Sequence, residues 1–216
     1  MKRLIIYDLD GTLVDTREDI AQAANHMLSQ LRLPLLASQE ICRSVGRGLH
    51  NLITGCLKTE DPKQIERGTT LYRAYYAAHL LDHSTLYPGV REVLEYFKQR
   101  SQVVITNKPN PYSRDILVGL DVAGYFVEIV AGDSAYPKKP DPTAVQSMME
   151  KAQTVPEKTL MVGDSPIDIE TGRNAGVLTV GITQGFADDA ELRAAAPTVL
   201  VRNFQELLEL AKQQGW

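Results

Sequence analysis

Two aspartates one residue apart, Asp8 and Asp10, end a short apolar run in the stretch L-I-I-Y-D-L-D-G-T-L-V-D from Leu4 to Asp15. The run reads as a buried strand. In extended backbone alternate side chains share a face, so both carboxylates can point the same way. Gly11 permits the turn that follows. Crowded, buried carboxylates repel one another and lose hydration, and a divalent cation relieves both costs. Oxygen ligands with no histidine nearby suit magnesium (Mg2+) better than zinc. Taken alone, a D-x-D has a duller use, with one aspartate capping a turn and the other solvated.

Three further clusters bear on that choice. Thr106 and Asn107 follow the apolar Val103-Val104-Ile105, Lys139 lies in a Lys-Lys-Pro loop after Val127 to Ala131, and Asp164 follows Thr159 to Val162, with Asp168 four residues on. Each cluster falls at the carboxyl end of a predicted strand or just beyond it. In a parallel sheet these ends share one edge, where open α/β sheets bind ligands. Singly, each is an ordinary strand exit, surface loop or turn. Together they would deliver acids, a hydroxyl, an amide and a lysine to one place.

The elements that must position them follow the pattern of an α/β protein. Strands alternating with amphipathic helices predict a Rossmann-like, mostly parallel sheet with helices on both faces. Residues 1–15 and 86–216 form this core. Between them, 16–85 shows helical periodicity and no convincing strand, so an inserted all-helical domain is expected. Thr16 with Asp19 has the form of a capping box opening its first helix, whose buried face is Ile20, Ala23, Ala24, Met27, Leu28 and Leu31. Pro34 ends that helix. A second helical stretch runs through Ile41 and Val45 to Gly46, a third over about Leu49 to Cys56, and a fourth over about Pro62 to Leu81. In the core, Asp141-Pro142 and Ser165-Pro166 are helix starts.

Composition narrows the function classes. The chain has 216 residues, 44% of them apolar, and a formal net charge of -4. That balance speaks against a broad nucleic-acid surface. No apolar stretch is long enough to span a bilayer, and the first strand begins almost at Met1, so no signal peptide is expected. The two cysteines, Cys42 and Cys56, fall in no metal-type spacing and read as reduced thiols of a cytoplasmic protein. His79 and His83, at i and i+4, could share a metal, but no further ligand accompanies them.

The four motifs D-L-D-G-T-L-V-D, I-T-N-K, K-P-D-P and G-D-S-P-I-D resemble, in order, those of the haloacid dehalogenase superfamily. The resemblance covers nearly the whole chain, with a helical cap inserted after the first motif. The stretches I-T-N-K-P, A-G-D-S before K-K-P-D-P, and V-G-R-G-L in the insertion are similar to the branch that acts on 2-phosphoglycolate.

The resemblance implies a magnesium-dependent phosphatase acting on a small phosphorylated metabolite. Asp8 would be the nucleophile, forming an aspartyl-phosphate, and Asp10 the general acid and then base. Magnesium would be held by Asp8, the backbone carbonyl of Asp10 and Asp164, with Asp168 ordering the surroundings. Lys139 would balance the charge of two meeting anions, in preference to its rivals Lys108 and Lys138 because it directly precedes the proline. The Thr106 hydroxyl and backbone N–H groups, including that of Asn107, would bind the phosphoryl oxygens. In the cap, Gly46 and Gly48 flank Arg47, which could pair with a substrate carboxylate; Arg43 is a comparable candidate, and a solvated Arg47 between helix-ending glycines is the alternative. A sugar phosphomutase, a pyrophosphatase or nucleotidase, and a non-catalytic phospho-ligand binder on this fold remain rivals. A dehalogenase has no use for Asp10, and a phosphonate-cleaving enzyme would carry D-x-A-G-T. Monomer and homodimer are both open, with no nucleic acid or membrane as partner.

Overall fold

The computed structural model describes all 216 residues. The apolar run at the start forms β1 (Leu4–Tyr7), every residue of it fully buried. A tight turn at Gly11 leads to a two-residue strand, β2 (Val14–Asp15). Four helices follow: α1 (Arg17–Gln30), α2 (Ser38–Cys42), α3 (Leu49–Leu57) and α4 (Pro62–His79). The chain then returns along β3 (Thr85–Leu86), which pairs antiparallel with β2. This short ribbon closes the base of the helical insertion.

Beyond it the α/β rhythm is regular. In order come α5 (Val90–Tyr96), β4 (Ser101–Ile105), α6 (Tyr112–Gly119), β5 (Glu128–Val130), α7 (Thr143–Lys151), β6 (Thr159–Gly163), α8 (Pro166–Asn174), β7 (Leu178–Ile182), α9 (Asp189–Ala194), β8 (Val199–Val201) and α10 (Phe204–Gln214). Six strands form one sheet in the order β5-β4-β1-β6-β7-β8, every pair parallel. From β1 the chain fills one side of the sheet with β4 and β5, then the other with β6 to β8. The reversal falls beside β1, the switch point at which such sheets leave a crevice.

Strand periodicity sorts the core onto two faces. Leu4 and Ile6 pack with Val103, Ile105 and Met161 against Val145 and Met148 of α7. Ile5 and Tyr7 join Val104, Leu160, Val162 and Val180 under Leu94 of α5, Ile116 of α6 and Phe204 of α10. The Tyr7 ring meets Phe126 edge-on at 6.2 Å. The insertion has its own apolar seam, with Ala24, Met27 and Leu28 of α1 against Ile53 of α3 and Tyr72 and Tyr76 of α4.

Three expectations change. The Thr16–Asp19 capping box does not form: α1 has no side-chain cap, and Thr16 Oγ1 donates instead to Asp10 Oδ1 at 2.7 Å. Asp19, fully buried, accepts from the backbone N–H groups of His83 and Ser84 and from the Ser84 hydroxyl at 2.6 Å. Thr85, expected in an all-helical stretch, belongs to β3, a ladder too short for periodicity to reveal. The second helix ends at Cys42 rather than running through Val45, and beyond it Gly46 and Gly48 take φ values of +96° and +91°, outside helical backbone. His79 and His83 face different aspartates, Asp82 at 2.8 Å and Asp19 at 2.9 Å.

Asp19 thus ties α1 to the return segment at the base of the insertion. Burial alone would raise its pKa, but the hydrogen bonds from Ser84 and His83 outweigh burial and hold it below the ordinary carboxylate value. A depressed carboxylate contributes stability that is present above the unfolded pKa and lost as pH falls below about 4. Asp19→Ala is expected to cost about 2–4 kcal/mol in urea unfolding at pH 7, and less at pH 3.5. A cost that does not shrink at acid pH would show that Asp19 acts through packing alone.

Candidate active site

Register brings the site together. Tyr7 is level with Val104 on one side and Val162 on the other. Asp8, Thr106 and Asp164 therefore leave three adjacent central strands at nearly one height. All three are buried. The Lys139 loop after β5 reaches the same edge, and Lys139 is itself buried.

Lys139 is the hub. Its Nζ lies 2.7 Å from Asp8 Oδ1 and 2.6 Å from Asp168 Oδ1. The Asp168 pair is an aligned hydrogen bond, and the Asp8 contact is a buried ion pair. Asp168 is fixed from its other side, where Oδ2 accepts from the Ser165 hydroxyl at 2.6 Å and backbone N–H at 3.1 Å, the capping box of α8. Asp164 is held by the Thr12 hydroxyl at 2.7 Å and the Phe186 N–H at 2.8 Å. Two glycines allow this approach. A Cβ at Gly11, where φ is +82°, would lie 2.3 Å from Asp164 Oδ2, and one at Gly185 would lie 2.2 Å from Asp164 Cβ.

Electrostatics follow from burial. Desolvation raises the Asp8 carboxyl to about 6, with Asp168 and Asp10 adding to it and Lys139 opposing. Desolvation likewise raises Asp164 to about 8, helped by Asp168 and Asp8 and opposed by the Phe186 and Thr12 hydrogen bonds. For Lys139 burial works against the charge, but Asp168 and Asp8 outweigh it and its pKa is raised. One buried cation facing three acids leaves negative charge uncompensated. Ligand oxygens of Asp8, Asp164 and Asp168 lie within 4.8 Å of one another. Hard carboxylate donors with no imidazole or thiolate among them fit a magnesium-sized divalent cation.

The remaining candidates border two connected spaces. An inner cavity of about 50 Å³ between core and insertion is lined by Asp8, Asp10, Thr106, Asn107, Gly46 and Gly48 among others. Arg47 and Arg43 lie instead on an outer opening of about 320 Å³, beside Asp8, Asp10 and Asp164. Both arginines are exposed, and so is Lys138. The backbone N–H groups of Leu9, Asp10 and Asn107 donate to no protein acceptor.

Some of the connections were not visible in the sequence. Lys108, a rival for the phosphate lysine, lies on Asp10, with Nζ 2.9 Å from Oδ1 and 3.2 Å from Oδ2. The Asn107 side chain bridges core and insertion. Its Nδ2 donates to Gly46 O at 2.8 Å and Lys139 O at 3.1 Å, and its Oδ1 accepts from Lys139 N–H. Arg17 of α1 donates to Gly185 O at 3.1 Å and covers the Phe186 ring, bracing the loop that holds Asp164. Only the glycine in Thr183-Gln184-Gly185-Phe186 marks that loop in the sequence.

Comparison with known proteins agrees with this geometry. A family model described as haloacid dehalogenase-like hydrolase matches residues 5–182. The phosphoglycolate phosphatase of Vibrio parahaemolyticus serotype O3:K6 is 36% identical over 221 residues, covering 96% of this chain and 95% of that protein. The phosphoglycolate phosphatase of Chromobacterium violaceum is 35% identical over 217 residues, covering 97% and 96%. The crystal structure of a predicted phosphoglycolate phosphatase from Haemophilus somnus 129pt superposes with a TM-score of 0.92 at 28% identity, covering 97% of this chain and 98% of that one.

Raised carboxyls give the metal-free protein a distinctive pH response. Where folded Asp8 and Asp164 ionise at about 6 and about 8, the folded chain holds protons that the unfolded chain has released. Their stabilising contribution is full below the unfolded pKa of about 4 and falls as pH rises through the folded values. Chelator-treated protein is expected to lose melting temperature between pH 5 and pH 8.5, and Asp164→Asn to lose less. Added magnesium is expected to raise the melting temperature more at pH 8 than at pH 5. An equal rise at both would contradict a metal held by these carboxylates.

Proposed function

The chain belongs to the haloacid dehalogenase-like hydrolases and is a phosphoric monoester hydrolase, and on that premise we propose that it hydrolyses 2-phosphoglycolate through a phosphoryl group carried on Asp8. The observation that carries this reading is the buried Asp8 carboxylate paired with Lys139 at 2.7 Å, in a pocket that Asp10 also lines. A carboxylate that attacks an anionic phosphoryl group needs a cation beside it.

Asp8 Oδ1 attacks phosphorus in line with the departing oxygen, splitting one displacement into two. Lys139, anchored by Asp168, offsets charge on the phosphoryl oxygens. The free N–H groups of Leu9, Asp10 and Asn107, with the Thr106 hydroxyl, bind those oxygens. Asp10 protonates the leaving alkoxide and then takes a proton from the water that hydrolyses the aspartyl-phosphate. Thr16 and Lys108 hold its carboxylate in place for both roles. Asp8, the Asp10 carbonyl and Asp164 would hold magnesium, with Asp168 acting beside them by orienting Lys139. When bound, the ion supplies positive charge to the phosphoryl oxygens and to the acid cluster.

The helical insertion, 16–85, is read as a cap over the core, and Asn107 as its contact with the Gly46 loop. The 2-phosphoglycolate reading rests on the names of the relatives and on the small inner cavity. We also place the protein in the cytoplasm, in keeping with two buried free cysteines. No helix is long and apolar enough to cross a membrane.

A panel of phosphate esters compared by kcat/KM tests the substrate. The expected order places 2-phosphoglycolate well above sugar phosphates, pyrophosphate and nucleotides. Asp8→Asn is expected to lower phosphate release by at least ~10³-fold, and chelator to abolish it reversibly. Isomerised sugar phosphate in place of free phosphate would favour a mutase. Tight binding without turnover by the unmodified chain would favour a phospho-ligand binder.

A further inference from the structure

Near Asp10 the inner cavity has one cation, Lys108, and three tyrosines, Tyr72, Tyr76 and Tyr112, of which only Tyr76 has a hydroxyl that is both fully buried and unpartnered. Lys108 comes from the core loop after β4, and Tyr76 from α4 of the insertion. Lys108 is 8% exposed and Tyr76 1%. The ammonium lies 4.6 Å from the centroid of the Tyr76 ring, and both residues line the same cavity. The Tyr76 hydroxyl is buried with no hydrogen-bond partner. Such orphans are rare in native proteins and destabilising unless a ligand engages them. An ammonium carries three N–H donors, and Asp10 is the only hydrogen-bond partner of Lys108 Nζ, through its two oxygens.

We propose that Lys108 and Tyr76 together form the subsite for the non-phosphorylated end of the substrate, and that this end is a short carboxylate. The proposal rests on the phosphatase reading and assigns its specificity. Asp10 serves the leaving oxygen, so the organic part of the substrate must lie on the Asp10 side of Asp8. The inner cavity, about 50 Å³, holds on the order of four water-sized groups. A CH2–COO⁻ fragment is of that size. The outer opening is a poorer home for an anion. Its arginines, Arg43 and Arg47, are exposed, and it is also lined by Asp164, Asp188 and Glu191. The carboxylate contact that the sequence offered to Arg47 is thereby assigned to Lys108.

Lys108 also holds Asp10, so loss of activity alone would not separate the two roles. The test is a preference measured twice, in magnesium buffer with the whole protein. The first measure is kcat/KM for 2-phosphoglycolate against ethyl phosphate, which lacks the carboxylate. The second, which needs no chemistry from Asp10, is the ratio of Kd values by calorimetry for 3-phosphonopropionate and propylphosphonate. In Lys108→Met both preferences are expected to fall at least ~20-fold, in Tyr76→Phe about 3–10-fold, and in Lys108→Arg to be largely kept. Circular dichroism and melting curves check that each variant is folded; should Lys108→Met not fold, Tyr76→Phe carries the test. Equal losses for both members of each pair would make Lys108 a positioning residue for Asp10 and overturn the proposal. Loss of preference in Arg47→Ala but not in Lys108→Met would overturn it too. Wild-type protein that hydrolyses both esters equally would refute this subsite and leave the phosphatase standing. Wild-type protein that hydrolyses neither would refute the proposed function itself.

Discussion

Three buried carboxylates, two of them paired with one buried lysine, crowd together at the edge of the sheet, and the rest of the molecule is arranged around that imbalance. Lys139 donates to Asp168 in an aligned hydrogen bond and forms an ion pair with Asp8. Asp8 and Asp164 are left with carboxyls that resist ionisation. Such a cluster is costly for folding. It persists because the sheet brings three central strands to one level and because glycines let backbone and carboxylate come close. These contacts together build one acidic pocket at the carboxyl edge of the sheet.

Around the cluster, polar side chains divide their work between holding and joining. Thr12, Ser165 and the Phe186 N–H fix the acids from the core side. Asn107, Lys108 and Arg17 instead reach across the boundary with the insertion, to the Gly46 loop, to Tyr76, and from α1 to the Gly185 loop. The helical segment therefore touches both the Asp10 side and the Asp164 side of the site. Its position matters to the chemistry even though none of the four acids comes from it.

Local signals carried much of this. The β1 run, the parallel sheet and most helices were legible because period-2 and 3.6-residue patterns and turn residues act over short distances. The polar strand exits were legible as motifs, and Lys139 could be told from Lys138 by its place before proline. Two like patterns had opposite outcomes. Ser165 and Asp168 form a capping box, whereas Thr16 and Asp19 do not, because Asp10 claims one and the His83–Ser84 backbone the other. Nothing near Thr16 in the sequence announces that competition. The β2–β3 ribbon is too short to leave a period, and the placing of Lys108 on Asp10 and under Tyr76 depends on segments far apart in the chain meeting in space.

The central claim is that Asp8 itself takes the phosphoryl group. Acid quenching during turnover of 2-phosphoglycolate, followed by proteolysis and mass spectrometry, reads this directly. The expected result is a phosphoryl increment, labile to base, on the peptide that carries Asp8, present with magnesium and missing in Asp8→Asn. A phosphoryl group on another residue, or rapid turnover with an unmodified Asp8 at every quench time, would contradict it.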